Sequence, residues 1–413
     1  MKFSNYFYYI IAFGISLSSV SFKIPISIAI SDLTVLLLLF LSIFSYKKIT
    51  FSSIANWTLL LALYLLLANL INFFLIREFS MPSFLTNYLR VIAILGIIFL
   101  LPGFMSSLNL KLLARALMIA VNFHCLLVFF DLFISYPWNF NEDGFVLGAG
   151  SENSALEGRG RGLFDEPSFF AAYVGLISSL ILQYQSYSKI VIFKPINYLI
   201  LVIGLIASAS LTGAAVLLLL LVQLLLIERK KILSFTSITS LIAVLLVTIP
   251  LSIFLLAQSF SYISSRTTDL EDGSTLGRLV GSAFYTLDII EERPLVGVGM
   301  GSENQLNFSK TRDQSILFDL IENEDGDSIN LHQSVVTYWA SLVAAGGIPA
   351  LIIFYVFVIG ALLVRKETFL IGIMILALGM AKGGVFEVTL WWCIAVGIAY
   401  ISNHSKISQE KEQ

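Results

Sequence analysis

Apolar runs long enough to cross the roughly 30 Å hydrocarbon core of a bilayer recur near residues 6–22, 29–45, 57–76, 88–104, 111–134, 168–186, 195–210, 211–227, 235–257, 335–364, 368–381 and 386–401, separated by polar breaks. The pattern predicts about twelve transmembrane helices. Between the seventh and eighth runs only SASLTG, Ser208 to Gly213, is polar or small, so those two helices must form a tight hairpin. The tenth run is too long for one simple crossing. Gly346, Gly347 and Pro349 are expected to break it into an interfacial piece, Val335 to Ala345, and a spanning piece. The start, MKFSNYFYYIIAFGISLSSVSFK, has features of a cleaved signal peptide. It reads better as an uncleaved first span, because many apolar runs follow and the charge pattern works with it retained. The expected fold class is all-α, a polytopic membrane protein in which residues 1–413 form a single integral-membrane domain.

Composition agrees: 57% of residues are hydrophobic, 13% are charged and the mean hydropathy is +0.89, beyond the roughly 45–50% apolar usage of soluble domains. The net charge of -2 says little as a sum. Its distribution says more, since cytoplasmic loops carry excess Lys and Arg. With the N-terminus inside, Lys47, Lys48, Lys111, Arg115, Lys189, Lys194, Arg229, Lys230, Lys231, Arg365 and Lys366 all fall on the inner side. Two long segments fall outside: residues 135–167, the first outer loop, and residues 258–334, a large, partly helical outer loop holding ENEDGD at Glu322 to Asp327. Cys125 and Cys393 lie within apolar runs and read as packing residues, without a disulfide framework or a metal site.

Three polar clusters stand on the expected outer face. In EGRGRGLFDEPS, from Glu157, three glycines let backbone approach a ligand, and Arg159 and Arg161 offer planar, permanently charged donors suited to phosphate. Pro167 then opens the sixth helix, with Asp165 and Glu166 against its positive end. Read without a ligand, the same residues are an acidic helix start with local ion pairs. In the second cluster, Leu276 to Ile290 reads as an amphipathic helix bearing Arg278, ended by Glu291, Glu292, Arg293 and Pro294. Arg293, beside two acids, is expected to tolerate lysine. The GVGMG that follows lacks the βαβ context of a nucleotide-binding turn, so that reading is rejected. Third, His332 precedes the interfacial helix; it is a polar boundary residue on the blander reading and a proton acceptor on the sharper one. Aligning Gly326 with the glycine of a calcium loop puts Ile321 at the first ligand position, which excludes an EF-hand. Within the fifth helix, His124 and Asp131 share a face two turns apart, and Asp131 is close enough to the outer end to snorkel. Lys382 and Glu387 read as a pair in the last outer turn.

Together, RGLFDEPS from Arg161, the arginine-bearing helix leading to RPLVGVGMG, and a histidine before a helix ending in AAGGIP resemble the O-antigen and exopolysaccharide polymerases and O-antigen ligases, a family of integral-membrane glycosyltransferases. The resemblance covers roughly the second half of the chain. It implies transfer of a glycan from a polyprenyl diphosphate-linked oligosaccharide donor to an acceptor sugar, with no cofactor and no metal ion, at the outer face of the bacterial cytoplasmic membrane. Arg161 and Arg278 would bind the diphosphate and His332 would sit at the reaction centre, with Glu166 as the other candidate base, or as a residue that positions Arg161 or caps its helix. Members often carry asparagine soon after the histidine, where this chain has Gln333 and Ser334. They also often carry an arginine in the small-residue hairpin, a contact that is either missing here or supplied by Arg159 or Arg266. The implied partners are carrier-linked donor and acceptor, the lipid bilayer and a chain-length regulator; no nucleic acid is expected.

The EPS form of the first motif tilts the reading to polymerase over ligase. A flippase or other transporter, the reading from another class, should show repeats and charges near the bilayer midplane, whereas charge here is concentrated outside. Tyr285, Trp339, Trp391 and Trp392 are candidates to line an acceptor pocket, or are ordinary interfacial anchors.

Overall fold

The computed structural model describes residues 3–17, 20–23, 27–44, 52–75, 81–131, 145–147, 160, 162–164, 166–228, 282–300, 337–379 and 387–412. In chain order these form α1 (Asn5–Ser16), β1 (Val20–Lys23), β2 (Ser27–Ala29), α2 (Ile30–Phe44), α3 (Ser53–Leu75), α4 (Met81–Met105), α5 (Leu110–Asp131), β3 (Phe145–Leu147), α6 (Pro167–Ser188), α7 (Pro195–Ala207) and α8 (Leu211–Glu228). Then come α9 (Ser282–Glu292), α10 (Tyr338–Ile352) running through a π-helical segment (Ile353–Ile359) into α11 (Gly360–Val364), α12 (Phe369–Leu378) and α13 (Val388–Glu412).

Five described helices are long and apolar enough to cross a membrane, within Ser53–Leu75, Tyr88–Met105, Leu110–Asp131, Pro167–Ser188 and Tyr338–Val364, and five shorter helices are apolar. This is a predominantly helical, multi-pass membrane protein. The ninth expected run, 235–257, lies outside the described residues. The first is shorter than its hydrophobicity suggested: α1 stops at Ser16, and Val20–Lys23 form a strand. Here Val20 and Phe22 alternate with Ser21 and Lys23, a period-two pattern that suits a strand. β1 pairs antiparallel with β2 and with β3, giving the order β2-β1-β3. That sheet ties the segment after α1 to the one after α5, so both lie at one end of the bundle.

α6 is the central helix. It packs against α5, α8, α12 and α13, and from Pro167 to Gln185 every residue but Phe169 is buried. Small side chains at Ala171, Ala172, Gly175, Ser178 and Ser179 let its neighbours come close, which is how helices associate where lipid removes the hydrophobic drive. A Cβ on Gly175 would lie 3.0 Å from Met374 Sδ and from Val216 Cγ2. Buried amides join the same helices. Ser179 Oγ donates to Gln223 Oε1 at 2.9 Å, Gln223 Nε2 to the Leu370 carbonyl at 3.0 Å, and Leu370 N–H to Gln183 Oε1 at 3.0 Å. Cys125 and Cys393 are buried free thiols, and Cys125 packs where a Cβ on Gly204 would come within 2.5 Å of its own Cβ.

The chain's polarity follows from these contacts. Gly160 bonds the C-terminal end of α7 and Gly162 that of α5, while Gln183 Nε2 reaches the Lys366 carbonyl near the C-terminal end of α6. Lys111, Arg115, Lys189, Lys194, Arg365 and Lys366 therefore gather at one end of the bundle, and Gly160 to Glu166 begin α6 at the other.

Candidate functional site

The lead-in to α6 is folded onto α5 and α7. Gly160 N–H donates to the Ala207 carbonyl at 3.0 Å, and Gly162 N–H to Asp131 Oδ2 at 2.5 Å. Both positions need glycine: a Cβ at Gly160 would fall 2.1 Å from the Val128 carbonyl oxygen, and Gly162 has φ +59°. Phe164 is buried, its ring 5.2 Å from His124 and 5.7 Å from Phe170. Glu166 is the residue before the first helical turn, with Pro167 inside it, as the sequence predicts. Its carbonyl accepts from Phe169 and Phe170 N–H. Its carboxylate makes no cap to the helix backbone and accepts from Ser168 Oγ at 2.9 Å.

The α7–α8 hairpin meets this lead-in. Ala209 turns the chain with φ 43°, Ser208 Oγ donates to the Leu205 carbonyl at 2.6 Å, and Gly213 N–H donates to Ser210 Oγ at 2.9 Å. The expected tight hairpin is thus built from buried hydroxyls that satisfy the ends of two helices.

The third component is the GVGMG loop. At the predicted break in α10, Gly346 and Gly347 leave the helix, the latter at φ 69°. The loop after α9 fills the gap. Val298 and Gly299 N–H both donate to the Ala344 carbonyl, at 2.9 and 3.0 Å, and Ile348 N–H donates to the Pro294 carbonyl at 2.8 Å. A Cβ on Gly297 would lie 2.3 Å from the Val343 oxygen, and one on Gly347 would lie 2.4 Å from the Pro294 oxygen. These glycines serve backbone-to-backbone docking, which agrees with rejecting a nucleotide turn. From α3, Asn69 donates to the Leu65 and Ala345 carbonyls and accepts from Met300 N–H at 2.7, 3.1 and 2.7 Å. Asn72 Nδ2 reaches the Val296 carbonyl at 2.9 Å, and Tyr64 Oη donates to the Leu295 carbonyl. Sequence reasoning missed Asn69 and Asn72. The available signal was two amides three residues apart inside an apolar run, a costly placement without partners. Because α10 and its continuation run from the break to Arg365 at the basic end, the break lies toward the other end, where α6 begins.

Of the expected site residues, Glu166 is described, whereas Arg159, Arg161, Arg266, Arg278 and His332 lie outside the described residues, as does Lys382. Gly160 and Gly162, on either side of Arg161, are both tethered. Three expectations change. Asp131 receives the Gly162 amide, so its carboxylate holds a loop. Trp391 and Trp392 are buried in the helix core, Trp391 edge-on to Phe354 at 5.9 Å, and are therefore not interfacial anchors. Trp339 is half-buried. Arg293 is not a solvated helix-end residue: its Nη1 is buried with no hydrogen-bond partner among the described residues, while Glu291 and Glu292 are exposed.

Residues 196–355, from α7 through the GVGMG loop to the end of the broken helix, match the family model described as O-Antigen ligase. Over these residues the chain is similar to the O-antigen ligase family. The family comprises glycosyltransferase-like membrane enzymes, ligases and polymerases. The matched segment contains Arg266, Arg278 and His332, and Arg159, Arg161 and Glu166 precede it. No curated protein and no solved structure matches the chain.

Proposed function

We propose that this protein is a polysaccharide polymerase that moves a growing glycan from a polyprenyl diphosphate carrier onto a carrier-linked repeat unit at the outer face of the cytoplasmic membrane. The observation that carries the reading is the O-antigen ligase match over residues 196–355. Supporting it, the lead-in bearing Arg161 meets the end of the first helix of that matched segment through the Gly160 to Ala207 bond. An outer location is supported by the basic residues at the opposite end of the bundle, since lysine and arginine mark the cytoplasmic side.

In this reaction the bond between the anomeric carbon and a diphosphate oxygen breaks. An acceptor hydroxyl oxygen forms the new bond to that carbon, and the polyprenyl diphosphate leaves. Negative charge grows on the leaving oxygens, and fixed guanidinium groups in a partly dehydrated site stabilise it more than water does. That is the role of Arg161 and Arg278, with Arg159 or Arg266 as a further basic contact. The hydroxyl's proton passes to His332, the side chain most readily tuned near neutral pH. Glu166, oriented by Ser168, is the alternative acceptor.

The same match suits a second reading, a ligase that attaches the finished chain to lipid A core. The glycans of a strain lacking the gene decide between them. Single repeat units on lipid core are the expected result. Long chains left on the carrier would establish the ligase instead, and units retained facing the cytoplasm would indicate a flippase.

A further inference from the structure

The geometry points to Asp131 as the positioning residue that fixes Arg161 for the transfer, an inference that rests on the reading of Arg161 as a diphosphate ligand. One face of α5 receives the whole lead-in. His124, Val128 and Asp131, at helical spacings of four and three, meet Phe164, the two glycines and the Gly162 amide in turn. Towards the middle of α5, His124 is itself held. Ser16 Oγ donates to the Phe13 carbonyl at 2.6 Å, so His124 Nε2, 2.7 Å from that oxygen, is the donor of their bond. This contact ties α1 to the same face.

At its outer end, the carboxylate of Asp131 accepts the backbone N–H of the residue directly after Arg161. The residue directly before Arg161 is bound to the Ala207 carbonyl and pressed against Val128. The first tether is charge-assisted and the stronger kind. Two tethered amides hold Gly160 and Gly162, the residues on either side of Arg161 in the chain. A guanidinium that stabilises a developing charge needs such preorganisation, because misplacement by about 1 Å costs on the order of 100-fold in rate.

The test uses Asp131→Ala, Asp131→Asn, Arg161→Lys and the Asp131→Ala/Arg161→Lys double variant, expressed in the deletion strain. Polymer is measured per amount of membrane-inserted protein, and amide hydrogen exchange is followed on the full chain purified in detergent. Asp131→Ala should lower polymer on the order of 100-fold. Asparagine keeps an acceptor oxygen and should stay within about tenfold of wild type. The double variant should be no worse than the poorer single within about twofold, since both changes disable one device. Exchange across Gly160 to Phe164 should quicken in Asp131→Ala and not in Asp131→Asn. Unchanged exchange in Asp131→Ala, or losses that multiply in the double variant, overturn the inference while leaving the clamp standing. Full polymer from Arg161→Lys overturns the clamp reading itself, and this role for Asp131 with it, even where exchange reports a loosened loop.

Discussion

Two glycine-bearing segments lie toward the same end of this bundle, and they are held in different ways. Gly160, Gly162 and Phe164 lie against α5 and α7 through two amide bonds and one buried phenyl ring. Pro294 to Met300 is instead built into a break in α10, where it shares backbone bonds with Ala344 and Ile348 and is braced by Tyr64, Asn69 and Asn72. The second segment replaces hydrogen bonds that a broken helix would otherwise leave open in an apolar surrounding, so losing it costs the fold. The first satisfies one terminal carbonyl of α7, that of Ala207, and leaves the internal ladders of α5 and α7 untouched. Losing it should cost activity while the bundle remains.

The sharpest way to break that contrast is one substitution made in both places. Gly347→Ala would drive a Cβ to 2.4 Å from the Pro294 oxygen at a residue with φ 69°, and should destabilise by more than about 3 kcal/mol. Little folded protein should be recovered in detergent. Gly160→Ala meets an equally close oxygen, at 2.1 Å, but on a segment that no helix is broken to receive. It should insert at normal levels and make almost no polymer. Similar folded yields for the two variants would erase the distinction.

A smaller effect is expected from the arginines. If the guanidinium fork grips phosphate oxygens, Arg161→Lys and Arg278→Lys keep the charge and lose paired hydrogen bonds, a loss of roughly 10- to 100-fold in polymer per inserted protein. Arg115→Lys, exposed at the opposite end of α5, should match wild type. Arg293 is unsuited as that control because its guanidinium is partly buried. Equal tolerance at 161, 278 and 115 would return the lead-in to local ion pairing worth about 0–1 kcal/mol.

The smallest difference tests the brace. Asn69→Leu removes three hydrogen bonds and leaves the Met300 amide and Ala345 carbonyl without that partner. Among the described residues Asn72→Leu removes one, and Asn72 Oδ1 has no partner there to lose. Intramembrane bonds average about 0.6 kcal/mol, so thermal unfolding in detergent should put Asn69→Leu about 1 kcal/mol below Asn72→Leu. A reversed order would show that the loop does not depend on the Asn69 amide.

The break at Gly346 and Gly347 was legible because glycine and proline interrupt an apolar run that exceeds one crossing. The SASLTG hairpin was legible because six residues leave no other path. The strand at Val20–Lys23 was hidden because hydropathy windows do not separate a greasy strand from the end of a span; its partner, β3, is more than a hundred residues away. The burial of Trp391 and Trp392 was hidden for a related reason. Sequence marks a tryptophan near a helix start as suited to the interface, and only packing shows whether another helix covers it.

What the amino-acid order determined by itself is membrane residence, the helical runs and their breaks, and the side on which basic residues collect. Each of these depends on local hydropathy, on glycine and proline conformation, or on charge counted along the chain. Tertiary structure alone decided that Asp131 would be the anchor of a loop thirty-one residues away, and that Asn69 would hold a loop more than two hundred residues downstream. Those roles depend on which polar groups are brought within hydrogen-bond reach when helices pack in an apolar medium. Spacing along one helix selects a face, but it does not name what will come to rest on it.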